Sequence, residues 1–222
     1  MSETLPLFPL GTVLYPGLLL PLHIFEDRYR RLVRDLLDGP GPQRFGVVAI
    51  RKGRETGVDG ISALHKIGCV AALRQVAEHD DGRFDLVTVG TQRFRLLELD
   101  DSLPYLQGEV EMLAEDAGEE TAAAVSAEAV RRGFRSYLDA LAARGANQVS
   151  YPDLPDDPVV LSYLVAASVI IDLSDRQALL AEPDAAARLA AERALLSRET
   201  TMLRSLTSTP APDLRYSPYN PN

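Results

Sequence analysis

One early stretch of the chain joins a strand pattern, a proline-bracketed apolar segment and an amphipathic helix, and this order restricts the possible folds. Residues 7–10 predict a strand, and residues 11–12 predict a turn. Pro16 and Pro21 then bracket an apolar run that cannot continue as a helix, because proline fixes φ and disfavours helical backbone in the preceding residue. Apolar residues then recur at spacings of three and four, which predicts a helix that ends at Gly39–Pro40. The predicted helical stripe consists of Phe25, Tyr29, Leu32, Val33 and Leu36.

The composition is typical of a soluble globular protein, with 222 residues of which 46% are apolar and 25% charged. The net charge of −9 argues against nonspecific binding to nucleic acids, so we expect no nucleic-acid partner. Cys69 is the only cysteine, and the amino terminus lacks a secretory signal, which together predict a cytoplasmic location. The most apolar later stretch, residues 159–173, contains polar residues and falls short of the roughly 20 apolar residues that a membrane span needs. We therefore expect no contact with a membrane.

Residues 45–113 follow a pattern of short strands separated by turn signals. The polar tip at residues 78–82 contains Asp81-Gly82, which is a strong hairpin signal. Gly90–Gln92 predicts a break between two later strands. Short strands at this spacing suggest a small barrel or a folded sheet. The predicted strands cover residues 44–50, 67–76, 84–89, 93–96 and 105–113.

The chain changes to a helical period after an acidic, glycine-bearing linker at Glu115–Thr121. The first helix after it is predicted to end at Gly145, and Asp157-Pro158 is a good start for the second, with Asp as the cap. A capping box at Ser174–Gln177 opens a short helix, and the last helix begins at Pro183-Asp184. Leucines repeat every seven residues in that last helix, which indicates a packing seam formed by Leu189, Leu196 and Leu203.

Several longer motifs occur in an order that is typical of one protein family. The chain contains FPL at residues 8–10, PLHIFEDRY at residues 21–29, IGCVAALRQV at residues 67–76, GTQRFRLLEL at residues 90–99 and PYLQGEVEML at residues 104–113. The segment LSDRQALLAEPDAAARLAAERALLSRE at residues 173–199 completes the series. In this order and wording, residues 5–206 resemble the amino-terminal substrate-binding domain of Lon proteases.

The resemblance implies an α+β fold in which a β-rich domain of PUA-like pseudo-barrel form precedes a carboxy-terminal α-helical bundle. Together with the change of period, it predicts a β-rich domain at residues 1–115 and a helical bundle at residues 119–206. Residues 207–222 form a predicted tail that is rich in proline, tyrosine and asparagine.

Lon proteases also carry an ATPase module and a Ser-Lys peptidase module, for which 222 residues leave no room. A phosphate-binding loop needs a lysine followed by serine or threonine, and neither Lys52 nor Lys66 meets this requirement. The chain also lacks the G-x-S-x-G and S-x-x-K motifs of serine nucleophiles. We therefore expect a stand-alone substrate-binding domain that is not an enzyme.

The candidate binding surface is the proline-bracketed segment and the start of the first helix. Two prolines hold this segment at modest entropic cost, which favours recognition of a flexible peptide. Burial in the core is the alternative for the leucines and equally for Tyr15 and Pro16, and a cap or core hydrogen bond is the alternative for the histidine. For Glu26 and Arg28 the alternative is pairing with neighbouring backbone or charge, which would fix the helix against the sheet. The candidate peptide-binding residues are Tyr15, Pro16, Leu18, Leu19, Leu20, His23 and Arg28.

No cofactor is implied, and no metal site is predicted. The three histidines, His23, His65 and His79, lack the short spacings of metal ligands, and zinc needs three or four converging ligands. His79 is expected to be solvated in its hairpin tip. Cys69 lies in an apolar strand and is expected to be a buried, inert thiol.

What the resemblance implies for function is noncovalent recognition of polypeptide, in particular of unfolded or apolar protein segments. The mode would be an extended peptide that adds to a sheet edge. One alternative is an adaptor or structural protein that contacts a folded partner. A second is a small-molecule hydrolase with its site between the two domains. RNA binding, which PUA-like folds can support, is disfavoured by the acidic charge.

Overall fold

A computed structural model of the protein describes residues 2–53, 61–144 and 151–205. Within these ranges the strands are β1 Ser2–Leu10, β2 Leu19–Ile24, β3 Arg44–Gly53, β4 Ile61–Leu64, β5 Ile67–Glu78, β6 Phe84–Asp100 and β7 Gln107–Met112. The helices are α1 Asp27–Asp38, α2 Glu120–Ala142, α3 Pro158–Ser168, α4 Leu173–Ala181 and α5 Ala185–Ser205. The predicted combination of a β-rich part with later helices is therefore confirmed. Gly145 and the predicted tail lie outside the described residues.

The strand pairings form a closed circuit. The first half of β1 runs antiparallel to β7, and its second half runs parallel to β3. The order β1-β7-β6-β5-β3 thus returns to β1, while β2 is attached to β6 and β4 to β3. All five strands of the circuit contribute to one apolar cluster, because alternate residues of a strand face the same side. This cluster contains Leu5, Leu7, Val48, Val70, Phe94, Leu96 and Val110.

The predicted break at Gly90–Gln92 is wrong, because β6 continues through it as one strand of 17 residues. Ala71 pairs with Gly90 and Cys69 pairs with Arg93, so two residues of β6 lie opposite Val70 alone. This is a bulge, which bends a strand and leaves its ladder continuous on either side. The glycine at this position therefore marks a bend in a strand and not its end.

Helix α1 packs its apolar face against the sheet, although it begins later than predicted. Its first residue is Asp27, so Phe25 precedes the helix and is 54% exposed. Tyr29, Leu32 and Val33 are buried as the periodicity predicts. They share a cluster with residues from several strands, among them Phe8, Phe45 and Phe84.

Side-chain caps start all four later helices, and in α5 the carboxylate of Asp184 accepts from the backbone N–H of Ala187 at 2.8 Å. Glu119 caps α2, and Asp157 caps α3 by accepting a hydrogen bond from the backbone N–H of Val160 at 2.9 Å, as predicted. The predicted capping box at Ser174–Gln177 is wrong. Asp172 caps α4 instead, because its carboxylate accepts from the backbone N–H of Asp175 at 2.8 Å and also from the Ser174 hydroxyl.

The helices share their core with the strands. Helix α5 packs along α2 and contacts α3 and α4, and it buries Leu189 and Leu196 of the predicted seam. The same apolar cluster includes Val13, Tyr15 and Ala49 from the strand-rich half. The predicted division into a β-rich domain at residues 1–115 and a helical bundle at residues 119–206 stays a prediction. Among the described residues, no helix is both long and apolar enough to cross a membrane.

Candidate functional site

Tyr15 lies inside the protein, which removes it from the predicted peptide-binding surface. It is 1% exposed, and its hydroxyl donates a hydrogen bond to the carbonyl oxygen of Arg176 at 2.9 Å. Its ring centroid is 6.1 Å from that of Tyr163 in α3. Burial raises the pKa of the Tyr15 hydroxyl above its usual value. Tyr15 therefore anchors the start of the proline-bracketed segment, residues 16–21, to the helices.

Backbone hydrogen bonds at two glycines then hold the proline-bracketed segment against β6. The backbone N–H of Gly17 donates to the carbonyl oxygen of Gly90, and the N–H of Gly90 donates to the carbonyl oxygen of Leu18, both at 2.8 Å. A Cβ atom on Gly90 would lie 2.2 Å from the carbonyl oxygen of Tyr15, so only glycine permits this approach. Backbone contacts thus set where β2 begins.

The leucines of the segment alternate between core and solvent, as expected for a strand. Leu18 and Leu20 are partly buried and pack against the core clusters. Leu19 points the other way and is 69% exposed, so the core alternative is wrong for this residue. Pro16 is half-buried beside the turn. Leu19 is therefore the apolar side chain that this segment presents to solvent.

One edge of β2 has no strand partner within the described ranges. From Leu19 to Ile24, β2 pairs with β6 in antiparallel register, and its other edge pairs with none of the described strands. An unpaired edge offers backbone donors and acceptors to an extended chain. Pro21 lacks an N–H group, which removes one donor from the strand.

A groove of about 570 Å³ lies beyond the end of β2. One wall is formed by residues 25–29, and the other includes Leu103 and Pro104 from the loop between β6 and β7. Phe25 is 54% and Leu103 is 40% exposed, so both present apolar surface there. Sequence reasoning missed Leu103 and Pro104, because an isolated apolar pair in a loop has no periodicity to single it out.

Arg28 lines this groove but is already engaged by its neighbours. Its Nη2 lies 3.0 Å from Oε2 of Glu26, and its guanidinium lies 4.5 Å from the ring centroid of Tyr29. Arg28 thus pairs with a neighbouring charge, which is the predicted alternative to ligand contact. The opposite wall is fixed by Tyr105, whose hydroxyl donates to Oδ2 of Asp35 at 3.0 Å. Burial, together with this hydrogen bond, raises the pKa of Tyr105 to about 12.

His23 has a different partner from the one expected. It is exposed and caps no helix, and its Nδ1 lies 2.6 Å from Oδ1 of Asp85. His79 is also exposed, as predicted, but its Nε2 lies 2.7 Å from the other oxygen of Asp85. Strand pairing thus brings together His23, His79 and Asp85, a cluster that their spacing in the sequence does not indicate. Cys69 is buried as expected, and burial raises its pKa to about 12, so its thiol stays protonated.

Comparison with known proteins connects this arrangement to one family. A family model for the ATP-dependent protease La (LON) substrate-binding domain matches residues 4–198. Similar curated proteins include Lon protease 2 of Syntrophobacter fumaroxidans, 28% identical over 190 residues, and Lon protease of Escherichia coli, 25% identical over 201 residues. These alignments cover 85% and 90% of the chain, but only 24% and 25% of the relatives. The chain thus spans about a quarter of the length of the curated relatives that it matches.

Two solved structures have a similar fold. One is the Lon N-terminal domain protein from Xanthomonas campestris, with a TM-score of 0.60 and 26% identity, covering 88% of this chain and 98% of that one. The other is the N-terminal domain of Lon protease from the Mycobacterium avium complex, with a TM-score of 0.61, covering 90% of this chain and 98% of that one. At 18% identity, the second supports the fold alone.

Proposed function

Because the chain belongs to the Lon substrate-binding domain family, we propose that it binds polypeptide segments without catalysing their cleavage. The family match supports a role in substrate recognition. The finer proposal is that the ligand is an unfolded or apolar segment in extended form. The observation that carries it is the exposed Leu19 on β2, one edge of which is unpaired among the described strands. The closed circuit of strands also supports the PUA-like pseudo-barrel form, followed by a helical bundle, that the resemblance implies.

In this proposal an extended segment pairs with the free edge of β2. Backbone hydrogen bonds along a strand edge supply affinity for many sequences, while pockets for alternate side chains supply preference. Leu19 gives the apolar contact near one end of β2, and the groove beside Phe25 and Leu103 receives side chains near the other. The orientation of β2 is held by its contacts with β6 and needs little reorganisation on binding.

The charges of the groove suggest which apolar segments bind best. Asp27 and Asp101 lie in its walls, and the chain as a whole has a net charge of −9. Arg28 is neutralised locally by Glu26. We therefore expect apolar segments flanked by lysine or arginine to bind better than segments flanked by acidic residues, and added salt to reduce this difference.

The experiment is a peptide array of overlapping segments from unfolded proteins, followed by fluorescence anisotropy with the strongest binder. Leu19→Asp is expected to melt nearly as the wild type does and to weaken binding at least about tenfold, since it places a charge where apolar contact is made. Leu97→Asp is the matched control, because Leu97 is also exposed, at 48%, and lies on β6 away from the β2 pairing. Leu196→Asp, which alters a residue 1% exposed in α5, is expected mainly to destabilise the fold.

Equal loss of binding in Leu19→Asp and Leu97→Asp would contradict the proposed surface. Unfolding of Leu19→Asp would show that Leu19 has a core role. Absence of any array signal, together with capture of one folded protein, would favour the adaptor alternative. ATPase and casein-cleavage assays of the pure protein are expected to stay at background, and activity abolished by a single serine or histidine substitution would contradict the non-catalytic proposal.

A further inference from the structure

Three side chains that are distant in sequence meet at the surface end of the hairpin formed by β5 and β6. His23 comes from β2, His79 directly follows β5, and Asp85 lies in β6. Each carboxylate oxygen of Asp85 forms a hydrogen bond with a different imidazole. Oδ1 lies 2.6 Å from Nδ1 of His23, and Oδ2 lies 2.7 Å from Nε2 of His79. The ring centroids of the histidines are 6.2 Å apart. The cluster therefore offers two imidazole nitrogens and one carboxylate around a single point.

The backbone around this cluster is fixed by strand pairing. His23 and Asp85 are directly opposite each other in the β2–β6 register. His79 is held at the hairpin turn, because its N–H donates to the carbonyl oxygen of Arg83 and its own carbonyl oxygen accepts from the N–H of Gly82, both at 2.8 Å. The three Cα positions are thus set by the sheet, and only side-chain rotations separate the observed arrangement from one that surrounds an ion.

The distances suit a transition-metal ion. One ligand atom from each of the three residues can be chosen so that all lie within 4.8 Å of one another. Ligands at zinc distances of about 2.1 Å are about 3.4 Å apart in a tetrahedral site, so modest opening of the two hydrogen bonds makes room for the ion. All three residues are exposed, which leaves the remaining coordination position open to water.

The local charge includes both attractive and opposing groups. Residues 78–85 contain Glu78, Asp80, Asp81 and Asp85 against the single basic residue Arg83. Arg83 is paired with Asp81, with Nε 2.7 Å from Oδ2, while its Nη1 lies 3.5 Å from Nε2 of His23.

Arginines of α1 approach the same hairpin from the other side. Arg30 donates to the carbonyl oxygens of Gly82 and Asp81 and also pairs with Asp27. Its charge is therefore partly compensated where it meets the turn. A Cβ atom built on Gly82 would also lie 2.9 Å from Nη2 of Arg34, which places that guanidinium beside the turn. These cations moderate the affinity of the cluster for a positive ion and leave its ligand set intact.

We propose that His23, His79 and Asp85 form a surface site for a divalent transition-metal ion, with Zn²⁺ as the ion that best suits two imidazoles and one carboxylate. Hard ions such as Mg²⁺ prefer sites made of oxygen atoms and are not expected to bind here. The bound ion would tie β2 to the β5–β6 hairpin through side chains, beside an open depression that His23 and Asp85 line with Gln75. The metal site does not depend on the peptide-binding proposal.

The test is calorimetric titration of the untagged chain with ZnCl₂ at neutral pH, with MgCl₂ as the hard-ion control. We expect one Zn²⁺ per chain and no binding of Mg²⁺. His79→Gln and Asp85→Asn should each weaken the binding at least about tenfold. His65→Gln is the matched control, because His65 lies between β4 and β5 and outside the cluster, and it should bind as the wild type does.

A second measurement needs no variant of the cluster. In proton NMR spectra, the imidazole signals of His23 and His79 should shift on addition of ZnCl₂, while that of His65 stays in place. Failure to saturate at one ion per chain would overturn the site, and so would equal Zn²⁺ affinity in the wild type and in His79→Gln. Peptide binding measured with EDTA present tests the proposed function separately. The results for the metal site and for peptide binding are therefore independent of each other.

Discussion

Replacing Arg93 tests how strongly the strands and helices depend on each other. Arg93 lies in β6 with its side chain 2% exposed, and its Nε lies 2.9 Å from Oε1 of Glu115. Its guanidinium also donates to three backbone carbonyls at the end of α4, those of Leu180 at 2.9 Å, Pro183 at 3.2 Å and Glu182. One side chain thus satisfies a carbonyl group in the last turn of α4, which has no intrahelical partner, and two carbonyl groups in the connection to α5.

Arg93→Met keeps much of the side-chain volume but removes every one of these donors. It leaves Glu115 without this partner and the helix-end carbonyls without theirs, in a region that water reaches poorly. Breaking a buried pair in this way costs about 3–5 kcal/mol. Arg95→Met is the matched control two residues along the same strand. Arg95 pairs with Glu111 at 2.6 Å, but the two side chains are 49% and 46% exposed, so we expect a cost of at most about 1 kcal/mol.

The assay is equilibrium unfolding in urea, followed by far-ultraviolet circular dichroism and by tyrosine fluorescence. The midpoint of Arg93→Met should fall with little change in the slope, whereas that of Arg95→Met should stay near the wild type. A loss below about 1 kcal/mol in Arg93→Met would contradict this prediction, because it would mean that the buried network contributes no more than a surface pair. In the wild type, the two probes should report one coincident transition, since strands and helices share a core.

Three further substitutions test other buried features. Glu192 is 1% exposed, its carboxylate oxygens have no hydrogen-bond partner in the described part of the chain, and burial raises its pKa well above 4.5. Above pH 4.5 the Glu192 carboxyl keeps its proton in the folded state but loses it in the unfolded chain. The contribution of Glu192 to the free energy of unfolding should therefore be greatest below pH 4.5 and should fall by up to about 1.4 kcal/mol per pH unit as the pH rises toward the folded-state pKa. Urea unfolding between pH 4.5 and 7 should show this loss in the wild type and not in Glu192→Gln; parallel profiles would contradict it. Gly90→Ala should destabilise by about 1–3 kcal/mol, because its Cβ meets the Tyr15 carbonyl oxygen, and a normal melting temperature would show that the strand can shift. Gly133→Ala, in α2 with its nearest new contact at 3.5 Å, should instead stabilise by up to about 1 kcal/mol, and a lower melting temperature would mean that the α2–α5 contact is tighter than it appears.

Local patterns in the sequence were sufficient to predict most of the secondary structure. Hairpin and capping signals act over a few residues, which is why the Asp81-Gly82 turn and the Asp157 cap were predicted correctly. The same local reasoning failed at Gly90–Gln92, because a glycine in a strand pattern is equally typical of a bulge and of a turn. It also failed at Ser174, where a stronger acceptor two residues earlier takes the cap.

The sequence alone was enough to predict a β-rich part followed by helices, the burial of Cys69 and the family to which the chain belongs, since these depend on periodicity and on motif wording. It did not predict β2 and β4 as strands. Only the tertiary structure decided which apolar residues face solvent. Tyr15 and Leu19 lie four residues apart in one apolar run, yet the first is buried and the second is exposed. Tyr15 precedes β2 and contacts Arg176 and Tyr163 of the helices, whereas Leu19 belongs to β2, whose pairing with β6 turns its side chain to solvent. The meeting of His23, His79 and Asp85 was equally beyond the sequence, since the separation of residues along a chain does not determine their distance once strands pair.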